Sequence, residues 1–394
     1  MAVYNFQGIR IGYDRPPGGL GWGSARSKRI EDRPVFSFFE SGKTFPPDLA
    51  YALNSIRLLF GCFGAKSMWE MWIDVGGTFT DCLAKRPTGE ILRHKLLSSS
   101  TTKGTLGVDS TATRLIDPQR RVDPPHFWVG YQCDLLDAAG QTLAGSEVVG
   151  FSRAEGSFDL QDAVSLEQVA SYELRCDLEA PVIGIRYLLG LPLREQIPPL
   201  RLRLGTTRGT NALLTRSGAR TALVTTRGHG DFLQIGYQDR PQLFDLTIRK
   251  SAPLAERVLE IDERMAADGS VLISPNTDTV RQQLAQLRAA GVESVGICLL
   301  HADRYPAHER LVAGLARDVG FAQLSVSHEV APLPKLVARG ETTVVDAYLN
   351  PVLKDYLDRL KQQLPGSQIR LMTSSGGLVA ADAFHGHQSI LSGP

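Results

Sequence analysis

The stretch of this 394-residue chain best suited to chemistry is Asp74-Val-Gly76-Gly77-Thr78-Phe-Thr80-Asp81. Adjacent glycines let the backbone turn tightly and bring N–H groups close to an anion. Thr78 and Thr80 add hydroxyl donors suited to phosphate oxygens. Asp74 stands where a carboxylate holds a hydrated Mg2+ or polarises a water. Asp81 is a second acid for that work, or a solvated turn residue. The same residues also fit a plain Gly-Gly hairpin turn with an aspartate upstream. No G-x-x-x-x-G-K-[ST] occurs in the chain, so this is not a P-loop.

Two further turns carry similar chemistry. Gly205-Thr206-Thr207-Arg-Gly209-Thr210-Asn211 lies between an expected strand and an expected helix, where hydroxyls and free helix N–H groups suit an anion or a polar ligand. The alternative is that Thr207 or Thr210 merely caps the helix. Ser374-Ser375-Gly376-Gly377 is a third polar turn after a strand, and a pair of such turns suits a two-lobed nucleotide clamp. His301, Asp303, His308 and Glu309 do not have H-E-x-x-H spacing, and Glu309 reads as a first-turn helix acid. Arg227, His229, Asp231, Arg240 and Asp245 form a dense polar segment that suits a small polar substrate or a solvated loop. Cys82 and Cys298 sit in apolar runs and read as core.

The elements that must position these residues are legible from Trp69 onward. Met71-Trp-Ile73, Phe79 to Ala84 and Ile91 to Leu97 read as strands, the last two joined through Pro87-Thr-Gly89 as a hairpin. Val122 to Ala170 reads as a β-rich patch within an insertion of about residues 105–200. Beyond Leu200 strands alternate with helices: strands at Leu202–Leu204, Thr221–Thr225, Val295–Leu300, Leu324–Val326 and Ile369–Met372. Helices are expected at Asn211–Arg216, Val280–Ala290, His308–Val319 and Thr342–Leu364. Pro351 should kink the last of these or mark a boundary. This alternation predicts an α/β fold with crossover connections. Residues 1–67 are Gly- and Pro-rich without period and read as a weakly structured or misassigned extension, with Met68 or Met71 as alternative starts.

Composition excludes several classes. Lys plus Arg number 43 and Asp plus Glu 42, a formal charge of +1 that gives no electrostatic reason to expect nucleic acid or an anionic membrane. Gly and Pro are scattered without the period of a fibrous protein. Five widely spaced cysteines without a C-x-x-C pair indicate neither a disulfide framework nor a zinc knuckle, and point to a reducing, cytoplasmic compartment. The apolar run from Ala50 to Ala65 carries Asn54 and Arg57 and is too short to span a bilayer. The closing Leu391-Ser-Gly-Pro394 is a turn leading onward, which reads as a truncation.

Taken together, Ile73-Asp-Val-Gly-Gly-Thr-Phe-Thr-Asp81, Gly205-Thr-Thr-x-x-Thr-Asn-Ala-Leu-Leu214 and Ala222-Leu-Val-Thr-Thr-Arg-Gly228 resemble the 5-oxoprolinase/hydantoinase A family. Ile235-Gly-x-Gln238, Leu243-Phe-Asp-Leu246, Ala347-Tyr-Leu-x-Pro351 and Ser375-Gly-Gly-Leu378 extend the resemblance over roughly residues 70–100 and 200–394. Lys95-Leu-Leu-Ser98, and Val319-Gly-Phe321 through Arg339-Gly340, are more similar to the 5-oxoprolinases than to the shorter hydantoinase subunits.

The resemblance implies an actin-like ATPase (ribonuclease H-like) lobe over 68–345 with a β-rich insertion. A second hydantoinase A lobe would start at 346–394 and be left incomplete. It implies ATP and Mg2+ as cofactors and ATP-coupled opening of the lactam of 5-oxo-L-proline to L-glutamate. Asp74 would then serve as metal ligand and, with Asp81, as catalytic acid. Gly76, Gly77, Thr78, Thr80, Thr206, Thr207, Asn211, Ser375, Gly376 and Gly377 would hold the nucleotide. Arg240 is assigned to the substrate carboxylate on charge alone. Implied partners are a cyclic amide and a hydantoinase B-type half, fused or separate, with no nucleic acid and no membrane; self-association into a homo-oligomer is left open. A hydantoinase or ketone carboxylase subunit, a sugar kinase, and a silent fragment that binds a partner lobe are the rival expectations. The chain alone is expected to turn over little.

Overall fold

The computed structural model describes residues 68–238, 244 and 250–392. The expected extension over 1–67, Arg240, Asp245 and the closing Gly393-Pro394 lie outside the described residues.

Strands β1 (Glu70–Val75), β2 (Phe79–Lys85) and β3 (Ile91–Leu97) form an antiparallel meander, as the turn chemistry predicts. Along β1 burial alternates. Met71, Ile73 and Val75 point into the core, while Trp72 and Asp74 take the opposite face. Next come β4 (Thr102–Gly104), β5 (Arg114–Ile116), β6 (Gln132–Leu136), β7 (Thr142–Ser152), β8 (Ser157–Leu160) and β9 (Ser171–Arg175). They pair in the order β4-β9-β6-β7-β8-β5, an antiparallel sheet where a β-rich patch was expected. This sheet stops at Arg175 rather than near 200. Helix α1 (Ala180–Leu189), with Pro181 in its first turn, buries Val182, Ile183 and Ile185 in one core with Met71, Ile73 and Cys82, and so serves the first sheet.

Strand β10 (Arg201–Thr206) runs parallel beside β1, pairing Asp74 with Gly205 and Val75 with Thr206. Helix α2 (Arg208–Leu214) follows at once, three residues ahead of its expected start. A second, parallel sheet begins with β11 (Thr221–Thr226), followed along the chain by helix α3 (Phe232–Ile235), β12 (Arg257–Ile261) and the small hairpin β13 (Arg264–Met265)–β14 (Val271–Ile273), which pairs only with itself. Helix α4 (Thr277–Ala289), β15 (Ser294–Cys298), α5 (Ala307–Val319), β16 (Gln323–Val326) and α6 (Ser327–Val330) complete it. Its order is β12-β11-β15-β16, all parallel, and β11 and β15 are buried along their whole length, as strands covered on both faces must be. Helices α4 and α5 cover one face with Val280, Leu284, Val312 and Ala316.

Helix α7 (Leu336–Gln363) joins the two cores. Val344 packs with Leu223, Phe232 and Cys298 of the second sheet's other face, whereas Leu349, Leu353, Tyr356 and Leu360 belong to the core of the first sheet. The helix is ~42 Å long at 1.5 Å per residue. It runs unbroken across the 345/346 junction and through Pro351, so the proline marks no boundary. Proline withholds an N–H and crowds the preceding turn. The carbonyl that loses its helical donor is that of Ala347; the next one along, Tyr348, accepts the Ala219 N–H at 3.0 Å from the loop before β11. Finally β17 (Gln368–Met372) lies parallel to β10, and β18 (Leu378–Ala380) turns back against it. The first sheet therefore reads β18-β17-β10-β1-β2-β3, and its three parallel strands β1, β10 and β17 end on one rim.

Candidate functional site

In open α/β sheets ligands gather beyond the carboxyl ends of parallel strands. All three polar turns singled out in the sequence lie there, at the ends of β1, β10 and β17. In the first turn the Gly76 N–H reaches the Phe79 carbonyl at 3.0 Å, and Gly77 and Thr78 stand exposed at the tip. Thr80 does not face that tip. It is fully buried, and its hydroxyl pairs with Ser98 Oγ at 2.9 Å, while Ser98 donates to the Gly76 carbonyl at 2.8 Å. Strand alternation turns Thr80 inward, two residues from the exposed Thr78, so it braces the turn rather than meeting a phosphate.

The second turn is clamped to the first. Thr207 donates to the Val75 carbonyl through both its N–H (2.9 Å) and its hydroxyl (3.2 Å). Thr206 is fully buried and its hydroxyl accepts the Arg208 N–H, so it too supports the turn instead of lining the cleft. Asn211 is exposed, with its amide 3.4 Å from Thr207 Oγ1 and beside Gly77. Thr207 holds the N-cap position of α2, but its side chain makes no capping hydrogen bond; the Thr210 hydroxyl donates to the Ile390 carbonyl.

That bond is part of a strap formed by residues 385–392. Ser374 takes the Leu391 N–H at 3.0 Å and gives its own proton to the Gln388 carbonyl at 2.7 Å, and Ser392 donates to the Thr206 carbonyl at 2.8 Å. The strap passes so close to α2 that a Cβ on Gly209 would lie 2.0 Å from Ser389 Oγ. Asp346 of α7, fully buried, anchors it: one carboxylate accepts from Ser325, Asn350 and both the N–H and Nδ1 of His387. In the third turn Ser375 pairs with Thr373, and Gly377 N–H donates to Thr373 Oγ1; Ser375, Gly376 and Gly377 are all exposed.

A cavity of about 860 Å³ opens beside this rim, lined among others by Asp74, Asp81, Lys95, Gly205, Ser374 and Gly376. Asp74 Oδ1 is buried there without a hydrogen-bond partner. Burial, and then the charge of Asp81, hold its carboxyl above the ordinary range, with Lys95 pulling the other way. Asp81 is different: it is exposed, and both its oxygens lie 2.9 Å from Lys95 Nζ. A Cβ on Gly205 would come within 3.1 Å of Asp74 Oδ1, so glycine keeps the carboxylate's flank clear. Sequence reasoning named the turn that starts at Ser374 but missed the bracing roles of Ser98, Ser392 and Asp346. Only Asp346 left a signal, its i,i+4 spacing from Asn350 on an expected helix.

The other polar candidates form a framework under the second sheet. Glu309 does stand in the first turn of α5, as the sequence suggests. It is fully buried and accepts from the Leu299 N–H (2.8 Å), Ser327, the His328 N–H and His328 Nδ1. His308 Nδ1 lies 2.6 Å from buried Glu263, which also takes the Thr226 hydroxyl. Asp303 pairs with buried Arg339 at 2.7 Å. Among the described residues no group of three or more His, Cys, Asp or Glu is placed to hold a metal. Arg227 pairs with Asp262, and the Gly228 and Gly230 N–H groups both point at Glu260. Cys82 and Cys298 are buried, their thiols pushed up by burial to about 12 and about 11. They are core residues.

Three glycine-bearing turns thus share one rim of an α/β sheet, with an unpartnered aspartate between them. The hydantoinase/oxoprolinase N-terminal region matches residues 159–320, and the hydantoinase/oxoprolinase region matches 339–394. The chain belongs to the hydantoinase/oxoprolinase family. It is 39% identical over 255 residues to 5-oxoprolinase of Saccharomyces cerevisiae, covering 55% of this chain and 20% of that protein. Its fold is that of two solved structures, each at TM-score 0.55 over 82% of this chain. One is a nucleotide-free acetone carboxylase, 19% identical and 39% covered; the other is the ATP-dependent caprolactamase of Pseudomonas jessenii, 23% identical and 38% covered. The chain thus spans about a fifth of the length of the yeast relative.

Proposed function

We propose that the protein takes part in ATP-dependent hydrolysis of the lactam of 5-oxo-L-proline to L-glutamate, this chain supplying the phosphate-handling rim. The observation that carries this reading is the convergence of the three turns around Asp74, whose buried Oδ1 lacks a partner. The 39% identity to a 5-oxoprolinase supports the choice of substrate.

The residues fit nucleotide phosphates. Gly77 and Thr78 present an exposed turn, Asn211 stands beside it, and Ser375 to Gly377 offer a third polar edge. They also fit one hydrated Mg2+, which keeps several waters and needs only one or two carboxylates besides phosphate oxygens; Asp74 is that carboxylate. ATP, when bound, would supply a phosphoryl group to the lactam oxygen, converting a poor leaving group into a good one. Asp74 would hold the hydrated metal, Lys95 neutralises Asp81, and Ser98 with Thr80 keeps the first turn in shape. In this reading 346–394 opens a second lobe in sequence order only, since its β17 and β18 complete the first sheet, and a hydantoinase B-type half is the partner.

A second reading, ATP-coupled activation of a ketone or another cyclic amide, is favoured by the fold shared with acetone carboxylase and caprolactamase. Substrate-dependent ADP release separates them when measured with 5-oxo-L-proline, a hydantoin, caprolactam and acetone, with and without a hydantoinase B-type polypeptide. Stimulation by 5-oxo-L-proline is expected. Stimulation by acetone or hydantoin alone transfers the assignment to the rival.

A further inference from the structure

The face of the first sheet that carries Asp74 is arranged in rungs. Lys95, Asp81, Asp74 and Gly205 are directly paired across β3, β2, β1 and β10. Two residues further from the rim, the next rung reads Arg93, Leu83, Trp72 and Arg203, and continues to Arg370 on β17. Four of these five, all but Arg370, line the same cavity as Asp74. One pleat repeat separates the rungs, about 6.6 Å at ~3.3 Å per residue.

The second rung is built unlike a surface that merely awaits solvent. Trp72 presents an indole to the cavity, 36% exposed, with the Arg203 guanidinium 4.8 Å from its ring. Arg203 and Arg201 share a single acid, Glu70, at 2.9 and 3.9 Å. Arg370 stands beside them with no ion pair among the described residues. Positive charge is therefore in excess next to a flat apolar ring, one rung from Asp74, whose flank the side-chain-free Gly205 leaves clear. A guanidinium held this way recognises a planar carboxylate through two parallel hydrogen bonds.

We propose that Trp72 and Arg203 form the substrate platform: a cyclic amide bearing a carboxylate lies on the indole, its carboxylate on Arg203 and its ring carbonyl directed toward the Asp74 rung. This rests on the cyclic-amide reading above and adds what that reading lacks, a reason for preferring an acidic lactam over a neutral one. It also relocates the carboxylate contact from Arg240 to a residue on a rigid strand.

The test is calorimetric titration of 5-oxo-L-proline and of 2-pyrrolidinone, the same ring without the carboxylate, into the full 394-residue protein with ADP and Mg2+ present. 5-Oxo-L-proline is expected to bind at least tenfold more tightly than 2-pyrrolidinone. Arg203→Gln should remove that advantage and leave 2-pyrrolidinone and ADP affinities within twofold, and Arg203→Lys should restore part of it. Arg317→Gln, exposed in the last turn of α5 over the second sheet, should change nothing. Unaltered 5-oxo-L-proline binding in Arg203→Gln overturns the platform, as does a loss shared equally with 2-pyrrolidinone and ADP. If 5-oxo-L-proline stimulates ADP release with the same KM in Arg203→Gln, the platform fails and the proposed function stands. If binding depends on Arg203 but no ADP release follows, the function fails and the platform stands. Absence of 5-oxo-L-proline binding in the unaltered protein overturns both.

Discussion

Replacing Asp346 should damage the site from a distance. Its carboxylate, fully buried in α7, takes four hydrogen bonds: Ser325 Oγ at 2.7 Å, Asn350 Nδ2 at 2.8 Å, and the N–H and Nδ1 of His387 at 3.1 and 2.8 Å. Hydrogen bonds to a charged group contribute ~1.5–3 kcal/mol each. They are not additive, and the carboxylate's own desolvation offsets part of the sum. Removing one member of a buried charged network costs about 3–5 kcal/mol, because the remaining donors stay buried and unpaired. Asp346→Ala is therefore expected to lower stability by about 3–5 kcal/mol. At ~2–4 °C per kcal/mol, the scale for a domain of this size, Tm should fall by roughly 10 °C.

Asp346→Asn keeps one acceptor oxygen but turns an NH2 toward donors, and should fall between the two. The loss should be felt at the rim, since His387 carries the strap that places Ser392 on Thr206. Acid should mimic the substitution. Burial alone raises this carboxyl, but the His387 and Ser325 hydrogen bonds outweigh it and hold it below its ordinary value. The stabilisation is then complete above the unfolded carboxyl near 3.9 and is lost as pH falls through the lower folded value. Thermal melts of both variants at neutral pH and at pH 3 measure this. An Asp346→Ala protein within 1 kcal/mol of the parent, with unchanged nucleotide affinity, would refute the anchoring role.

Two further outcomes follow from the same geometry. His94 stacks on Tyr187 at 3.6 Å, and burial lowers its imidazole to about 4. The unfolded chain therefore takes up a proton that the folded one refuses, so stability should decline as pH drops from 6.5 toward 4. His94→Phe should flatten that slope in pH-dependent melts, and an NMR titration placing His94 near 6.5 would contradict the account. Gly209→Ala sets a methyl 2.0 Å from Ser389 Oγ. Displacing the strap should cost about 1–3 kcal/mol and weaken nucleotide binding, while Gly89→Ala, on an open turn, leaves nucleotide binding intact.

Much of this protein was legible from local chemistry. β1, β2, β3, β11, β16 and β17 fall where alternation or apolar runs end in turn residues, because strand periodicity and glycine turns are properties of a few neighbouring residues. The three glycine-rich turns could be named for the same reason, and so could the family they resemble. What the chain order cannot express is which strands lie side by side. Residues 74, 205 and 374 meet only because β1, β10 and β17 pair in parallel. That pairing also divides roles among residues that look equivalent in the sequence. Thr78 is exposed and Thr80 buried, because Thr78 sits at the turn tip before β2 begins whereas Thr80 lies on the strand's core face. Glu309 reads as a helix-start acid, yet the helix is packed so that its carboxylate takes the orphaned N–H groups at Leu299 and His328. Pro351 reads as a break, yet the helix runs on through it, held on one side by the core of the first sheet. Local composition determined the elements and the chemistry they carry. The tertiary structure decided which of those groups are spent on one another and which, like Asp74, are left with a free valence to offer a ligand.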